Sequence, residues 1–164
     1  MSPHRPDLVE CWIFRLRDDH APEFLLIRRA PDRIFAGLWQ CVTGGLEAGE
    51  RIPMTALREV REETGFGPAQ IEAFYDLDQV THFYDEGPDA IVSGAIFAVR
   101  VRPDAEPRLS HEHDGSCWVD RDEALRLVVW PSYRDTIDRI LGKLLDPEVE
   151  HWFRLDLWGR RLAR

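Results

Sequence analysis

Cysteine is scarce, lysine is all but missing, and no apolar run approaches the length of a membrane span. Cys11, Cys41 and Cys117 are too few and too widely spaced for a disulfide framework or a zinc pattern. Lys143 is the one lysine; every other base is arginine, whose rigid donor fork suits phosphate, although genomic composition is the plainer account of the bias. The opening Met1-Ser2-Pro3-His4-Arg5-Pro6 has no apolar stretch of signal-peptide kind behind it, so a reducing cytoplasm is expected and a membrane is not. Positive charge is also in deficit. With 30 acids against 21 bases the formal charge is −9, a surface that repels nucleic-acid polymers and needs a bound cation to receive a small anion.

What is present describes a globular chain. The 164 residues suffice for one domain with a sizeable core, and the 44% hydrophobic and 31% charged fractions are those of a folded protein. Residues 8–16 and 23–28 read as strands about a turn at Asp18-Asp19-His20-Ala21-Pro22. A short aromatic segment from Phe35 to Val42 leads into Gly44-Gly45. The period changes to helical from Pro53 to Thr64, with Ala56, Leu57 and Val60 at helical spacing and Gly65 as a stop. Residues 71–81, 90–101 and 116–119 are predicted strands, and 103–115 a loop. Helices are predicted over 121–128 and 132–145, capped by Asp120 and Ser132. Strands interleaved with a few helices imply an α/β fold with a mixed sheet covered by helices.

The informative stretch is Gly44 to Phe66, GGLEAGERIPMTALREVREETGF. Glu59, Glu62 and Glu63 stand at i, i+3 and i+4, which gathers three carboxylates on one helix face. Such crowding is costly unless a cation sits among them, and Arg58 and Arg61 supply part of the compensation. Taken alone, an acidic helix face is most often a solvated one. Gly44, Gly45 and Gly49 at the entry to the same helix allow a loop to fold close and turn its carbonyls or amides toward a ligand. Carbonyl and carboxylate oxygens together suit Mg2+, with Mn2+ as a substitute, rather than zinc.

This segment resembles the Nudix signature throughout: Gly44, five residues, Glu50, seven residues, Arg58-Glu59-Val60, one residue, Glu62-Glu63, one residue, Gly65, then Phe66. The resemblance implies an α/β/α sandwich and hydrolysis of a nucleoside diphosphate linked to another group. It assigns metal binding to Glu59, Glu62 and Glu63, with the carbonyl at Gly44 or a neighbour as a further ligand. Glu50 is implied to hold a metal-bound water, and Arg58 to orient the acidic groups. The base that activates water varies in the family, so Glu50, Glu59 and the distant Glu112 all stand as candidates, and Glu112 is also a candidate metal ligand. Residues 1–146 are expected to form the Nudix hydrolase domain and 147–164 a C-terminal extension.

Glu112-His113, four residues, Trp118 is similar to the branch that hydrolyses dihydroneopterin triphosphate and deoxynucleoside triphosphates with release of pyrophosphate. Trp39-Gln40-Cys41-Val42-Thr43-Gly44 resembles the same branch, as does Trp130 after an Ala-Leu helix. The alternative is a dinucleoside polyphosphate hydrolase, from which Val42-Thr43-Gly44-Gly45 leans away because that group usually has Pro-Gln-Gly-Gly. A non-catalytic sensor or a structural protein is disfavoured because every box glutamate is in place.

Candidate substrate contacts are Trp39, Arg28, Arg29, Phe83, Tyr84, Trp130 and Arg134. Trp39 stacks on a ring or packs in the core; one of Arg28 and Arg29 faces phosphate and the other solvent. His82 joins Phe83 and Tyr84 as a possible pocket lining. Trp130, Tyr133 and Arg134 form a rim or are plain helix packing. Beyond Asp146-Pro147, the residues Trp152, Leu155, Trp158 and Leu162 recur at three, three and four, predicting an amphipathic helix over 148–164. Its stripe must be buried, on this domain or in a homodimer.

Overall fold

The computed structural model describes residues 3–163. A continuous buried run places β1 (Leu8–Leu16) at the centre, where it changes partners midway. Ile13–Leu16 pair antiparallel with β2 (Pro22–Arg29), whereas Leu8–Cys11 pair antiparallel with β4 (Val42–Gly45). The two-residue β3 (Trp39–Gln40) lies on β2. On its other side β1 runs parallel to β6 (Ala90–Val101), which is paired antiparallel with β5 (Ile71–Asp85). β7 (His113–Val119) joins β2, and β8 (Arg154–Leu155) closes the far edge against β5. The mixed sheet expected from the sequence is therefore formed, in the order β3-β2-β1-β6-β5-β8 with β4 and β7 branching from it.

Successive side chains of a strand point to opposite faces, and both faces of this sheet are apolar. Val9, Cys11, Ile13, Phe97 and Val99 pack with Ala56 and Val60 of α1 (Ile52–Thr64). Trp12, Phe14, Tyr75 and Ala98 pack with Ala124 of α2 (Arg121–Leu127) and with Tyr133 and Ile137 of α3 (Pro131–Arg139). Helices thus cover both faces. Asp120 caps α2, its carboxylate accepting from the Glu123 amide at 2.9 Å. Gly65, at φ 77°, ends α1 in the left-handed region that glycine enters without strain.

Three predicted elements change. β5 runs on to Asp85 and forms a long hairpin with β6, because cross-strand partners continue from Val80–Ala95 out to Asp85–Ala90. β7 begins at His113, three residues early, where a bulge at Arg28/Arg29 lets pairing continue. The third is the C-terminal segment. The helical part ends with a π turn, Ile140–Leu144, and a 3-10 turn, Glu150–Trp152. The amphipathic helix expected over 148–164 does not form: Arg154–Leu155 becomes a strand, and Asp156 turns the chain back by accepting from the Trp158 and Arg160 amides, both at 2.9 Å. An unsatisfied sheet edge at β5 outbids a short helix weakened by Gly159. Leu155 enters the core, whereas Trp152, Trp158 and Leu162 are exposed, so the stripe is divided. Among the described residues no helix is long and apolar enough to cross a membrane.

One core residue is out of character. Glu10, between Val9 and Cys11 on β1, is buried, and its Oε2 has no hydrogen-bond partner. Burial pushes this carboxyl up to about 7 from an ordinary 4.5. Between those values the folded chain keeps a proton that the unfolded chain has lost, so stability falls as pH rises through that window and stays low above it. At about 1.4 kcal/mol per unit the full penalty is ~3 kcal/mol. Glu10→Gln should therefore gain on the parent as pH rises from about 5 to about 8. Unfolding in denaturant at several pH values reads this directly, and a pH-independent difference would show that Glu10 titrates normally.

Candidate catalytic and metal-binding site

The partner exchange of β1 sets the site. β4 carries Gly44 opposite Val9, on the face covered by α1, so the chain turns from Gly44–Gly45 into the start of that helix. Gly44 lies directly against Glu59: a Cβ built on it would stand 1.9 Å from the Glu59 Cδ and 2.1 Å from its Oε1. The glycine requirement is thus one of close approach.

The three helix glutamates are not equally placed. Glu63 is buried, with Oε2 unpartnered; the Glu59 side chain is 12% exposed, and that of Glu62 is 54% exposed. Among the described residues no three of His, Cys, Asp or Glu converge as a ready metal cage. The single shared face expected from spacing is in fact a gradient from core to solvent, because only Glu59 and Glu63 turn toward the sheet. Arg58 does the neutralising. Its Nε donates to the Glu50 Oε1 at 2.8 Å, its Nη1 to Glu59 at 2.7 Å and to Glu62 at 3.2 Å, and its Nη2 to the Gly45 carbonyl at 3.0 Å. Hydrogen bonding to Arg58 holds the Glu50 carboxyl down at about 2, helped by the Thr55 hydroxyl at 2.8 Å. Burial, then the charges of Glu59 and Glu112, push Glu63 up to about 9. Glu59 is also raised, by burial first, against the pull of Arg58.

These residues fit a hard divalent cation. The donors are all oxygens, one buried carboxylate oxygen lacks any partner, and burial beside other carboxylates disfavours the charged form of Glu63 until a cation compensates it. Mg2+ or Mn2+ could be held by Glu59, Glu63 and Glu62 beside the Gly44 backbone. Glu50 is committed to Arg58, Thr55 and the Glu47 amide, which leaves it little capacity to take a proton.

Glu112, from the other end of the chain, lies within electrostatic reach of this helix, its charge acting on both Glu59 and Glu63. Its loop is pinned: the Ala30 amide donates to the Glu112 carbonyl at 2.9 Å, and Arg33 lies 3.7 Å from the carboxylate. Next to it, His113 is buried against the Gln40 amide at 3.1 Å and shifted down by burial, which fits an anchor for the loop.

The sheet also separates the two arginines. Arg29 follows Leu25 and Ile27 on the α1 face and acts on Glu63 and His113. Arg28 lies on the other face, paired with Asp114 at 2.8 Å and 5.5 Å from the Trp39 ring. Trp39 is half-buried against the core. Trp130 is partly exposed and meets Phe35 edge-on at 5.7 Å. Phe35 also lines a cleft of about 360 Å³ together with Leu38, Trp39, Leu127 and Val129. A hollow of about 470 Å³ near Ile71 and Arg102 lies at the opposite end of the sheet from Gly44. Tyr133 is core, edge-on to Trp12. Arg134, exposed on α3, donates to the Leu125 carbonyl at 2.8 Å, joining α3 to α2, and does not line the aromatic cleft. Phe83 and Tyr84 are exposed on the β5–β6 hairpin beyond Leu8, Tyr84 donating to Asp89 at 3.0 Å. Sequence reasoning missed Phe35, Arg33 and the buried Glu10. Phe35, at φ 58° and 62% exposed, is a bulky residue held in an unfavourable conformation, which its place in a Gly37 loop could have signalled.

Comparison with known proteins agrees with this geometry. An octanoyltransferase from Myxococcus xanthus is 42% identical over 118 residues, 70% of this chain, and the chain spans only 31% of that protein's length. The asymmetrical bis(5'-nucleosyl)-tetraphosphatase of Sus scrofa is 36% identical over 125 residues, 71% of this chain and 80% of that one. The structure of the Escherichia coli dihydroneopterin triphosphate pyrophosphohydrolase superposes with a TM-score of 0.67 at 23% identity, covering 82% of this chain and 94% of that one, and so speaks for the fold. The NUDIX domain pattern itself matches residues 8–140, the span holding β1 to β7, the glycine turn and the glutamate helix, and the chain belongs to the NUDIX family.

Proposed function

We propose that the chain hydrolyses a phosphoric anhydride bond in a nucleoside polyphosphate, with Mg2+ or Mn2+ held by Glu59, Glu62 and Glu63. The observation that carries this is the packing of Gly44 against the Glu59 carboxylate beside the buried, unpartnered Glu63 oxygen. A divalent cation, when bound, supplies neutralisation of phosphoryl oxygens and a more acidic water. Arg58 holds the carboxylates in place, and Arg29 faces the phosphates. Glu112 takes a proton as the water oxygen bonds to phosphorus and the bridging P–O bond breaks. The cleft lined by Phe35, Leu38 and Trp39 offers apolar faces to a flat ring.

For the substrate class, similarity to the porcine tetraphosphatase favours a dinucleoside tetraphosphate over the dihydroneopterin or deoxynucleoside triphosphate suggested by the glycine turn. Val42-Thr43-Gly44-Gly45 differs from the usual turn of that group at two side chains, whereas the similarity extends over 125 residues. The segment Glu112-His113 to Trp118 supports the triphosphate reading as the second. Product analysis separates them. Purified protein with magnesium should convert diadenosine tetraphosphate to ATP and AMP; pyrophosphate released from dihydroneopterin triphosphate or a deoxynucleoside triphosphate, with the dinucleotide untouched, would reverse the order. No turnover on any of the three would reject the hydrolase reading. The homodimer also stays a proposal, resting on the exposed Trp152 and Trp158, and sedimentation at high protein concentration decides it.

A further inference from the structure

The helix that bears the glutamates begins with a proline in its first turn but without a side-chain cap. Its N-cap is Arg51, which makes no side-chain capping bond, and its first turn has no acidic residue. The C-terminal segment instead holds the helix start through the Arg51 side chain. Leu155 bridges Arg161, and the Leu162 amide donates to the Arg154 carbonyl at 3.1 Å, so residues 154–162 form a small hairpin on the β5 edge. Arg161 ties it to Asp76. The tip of this hairpin meets the helix start. Arg51 donates through Nη1 to the Trp158 carbonyl and through Nη2 to the Gly159 carbonyl at 3.5 Å. Gly159, at φ 72°, lies so close to Pro53 that a Cβ would stand 2.5 Å from the proline Cβ and Cγ. A proline ring in a first helical turn cannot swing aside.

Arg51 is adjacent to Glu50, and Glu50 is the hub that receives Thr55 and two nitrogens of Arg58. Arg58 in turn reaches Glu59 and Glu62. We propose that the C-terminal hairpin is a positioning element for the catalytic box: by gripping Arg51 and Pro53 it fixes Glu50, and through Glu50 the guanidinium that aims Glu59 and Glu62. Its effect on turnover rests on the hydrolase reading above, but its effect on the loop does not.

The test uses the full chain with Arg51→Ala, Arg51→Lys and Gly159→Ala, compared by amide hydrogen exchange, Mn2+ titration and steady-state rates. Arg51→Ala and Gly159→Ala should speed exchange at residues 47–52, weaken Mn2+ binding roughly tenfold and lower kcat similarly with KM nearly unchanged, as loss of an outer support does at metal sites. Arg51→Lys, which can still donate to one carbonyl, should recover part of each loss. Unchanged exchange at 47–52 together with unchanged Mn2+ affinity in both disruptive variants would overturn the proposal. Faster exchange with parental Mn2+ affinity would also overturn it, leaving the hairpin as a clasp without influence on the carboxylates. A parent protein lacking all turnover counts against the hydrolase reading alone, because exchange and Mn2+ binding still judge the hairpin.

Discussion

Alanine in place of Gly44 should leave the fold standing and remove turnover by about 10²-fold, the scale expected when reacting groups are misplaced by an ångström. The added methyl would lie 1.9 Å from the Glu59 Cδ, 2.1 Å from Oε1 and 2.5 Å from Cγ. All three atoms belong to the far end of one flexible side chain, so Glu59 rotates away while Ala56 and Val60 keep the helix on the sheet. The backbone at Gly44 is outside the positive-φ region and accepts alanine there. The displaced carboxylate loses its 2.7 Å bond from Arg58 and its place beside the glycine. Gly45→Ala is the matched control, since its Cβ would meet only the Asp7 carbonyl at 3.9 Å. Rates at saturating magnesium and thermal unfolding should be measured on both. Near-parental turnover in Gly44→Ala would reject the placement of Glu59 in the machinery, and an equal loss in Gly45→Ala would point to general damage of the turn.

Much of this arrangement was legible in the chain itself. The Gly44–Phe66 pattern places the glutamates on a helix and the glycines at its entry, because spacing along a helix translates directly into position. Which glutamate is buried is a different matter. It depends on where α1 rolls against β1 and β4, and helical spacing is blind to that rotation; hence Glu62 was grouped with Glu59 and Glu63 but stands in solvent. Arg28 and Arg29 were indistinguishable in sequence, since either face of β2 is apolar; the sheet alone separates them. For Arg134 the sequence leaves rim and helix packing open, and its bond to the Leu125 carbonyl is a packing contact that spacing alone does not reveal. The tail fails for a tertiary reason. Its apolar period is helical, yet the free edge of β5 offers main-chain partners that no local pattern reveals.

Glu112→Gln should depress kcat by ~10²–10⁴-fold, the usual worth of a general base, while leaving divalent-cation affinity close to that of the parent. The other candidates are poorly placed for the role. Arg58 and Thr55 hold Glu50 down at about 2, which makes it a weak proton acceptor. Glu59 is bonded by Arg58 and wedged against Gly44. Glu112 has neither restraint: its side chain is 41% exposed, open to water, and its nearest cation is Arg33 at 3.7 Å. Its position is nevertheless defined, since the Ala30 amide fixes its carbonyl and His113 is buried beside it against Gln40. These anchors hold the loop within electrostatic reach of Glu59 and Glu63. Glutamine keeps the size and removes the basicity, so loss of rate without loss of Mn2+ binding isolates the proton-transfer role. Two results would sink it. A variant within a few-fold of the parent returns the task to a box glutamate, and a joint loss of rate and Mn2+ affinity makes Glu112 a metal ligand instead.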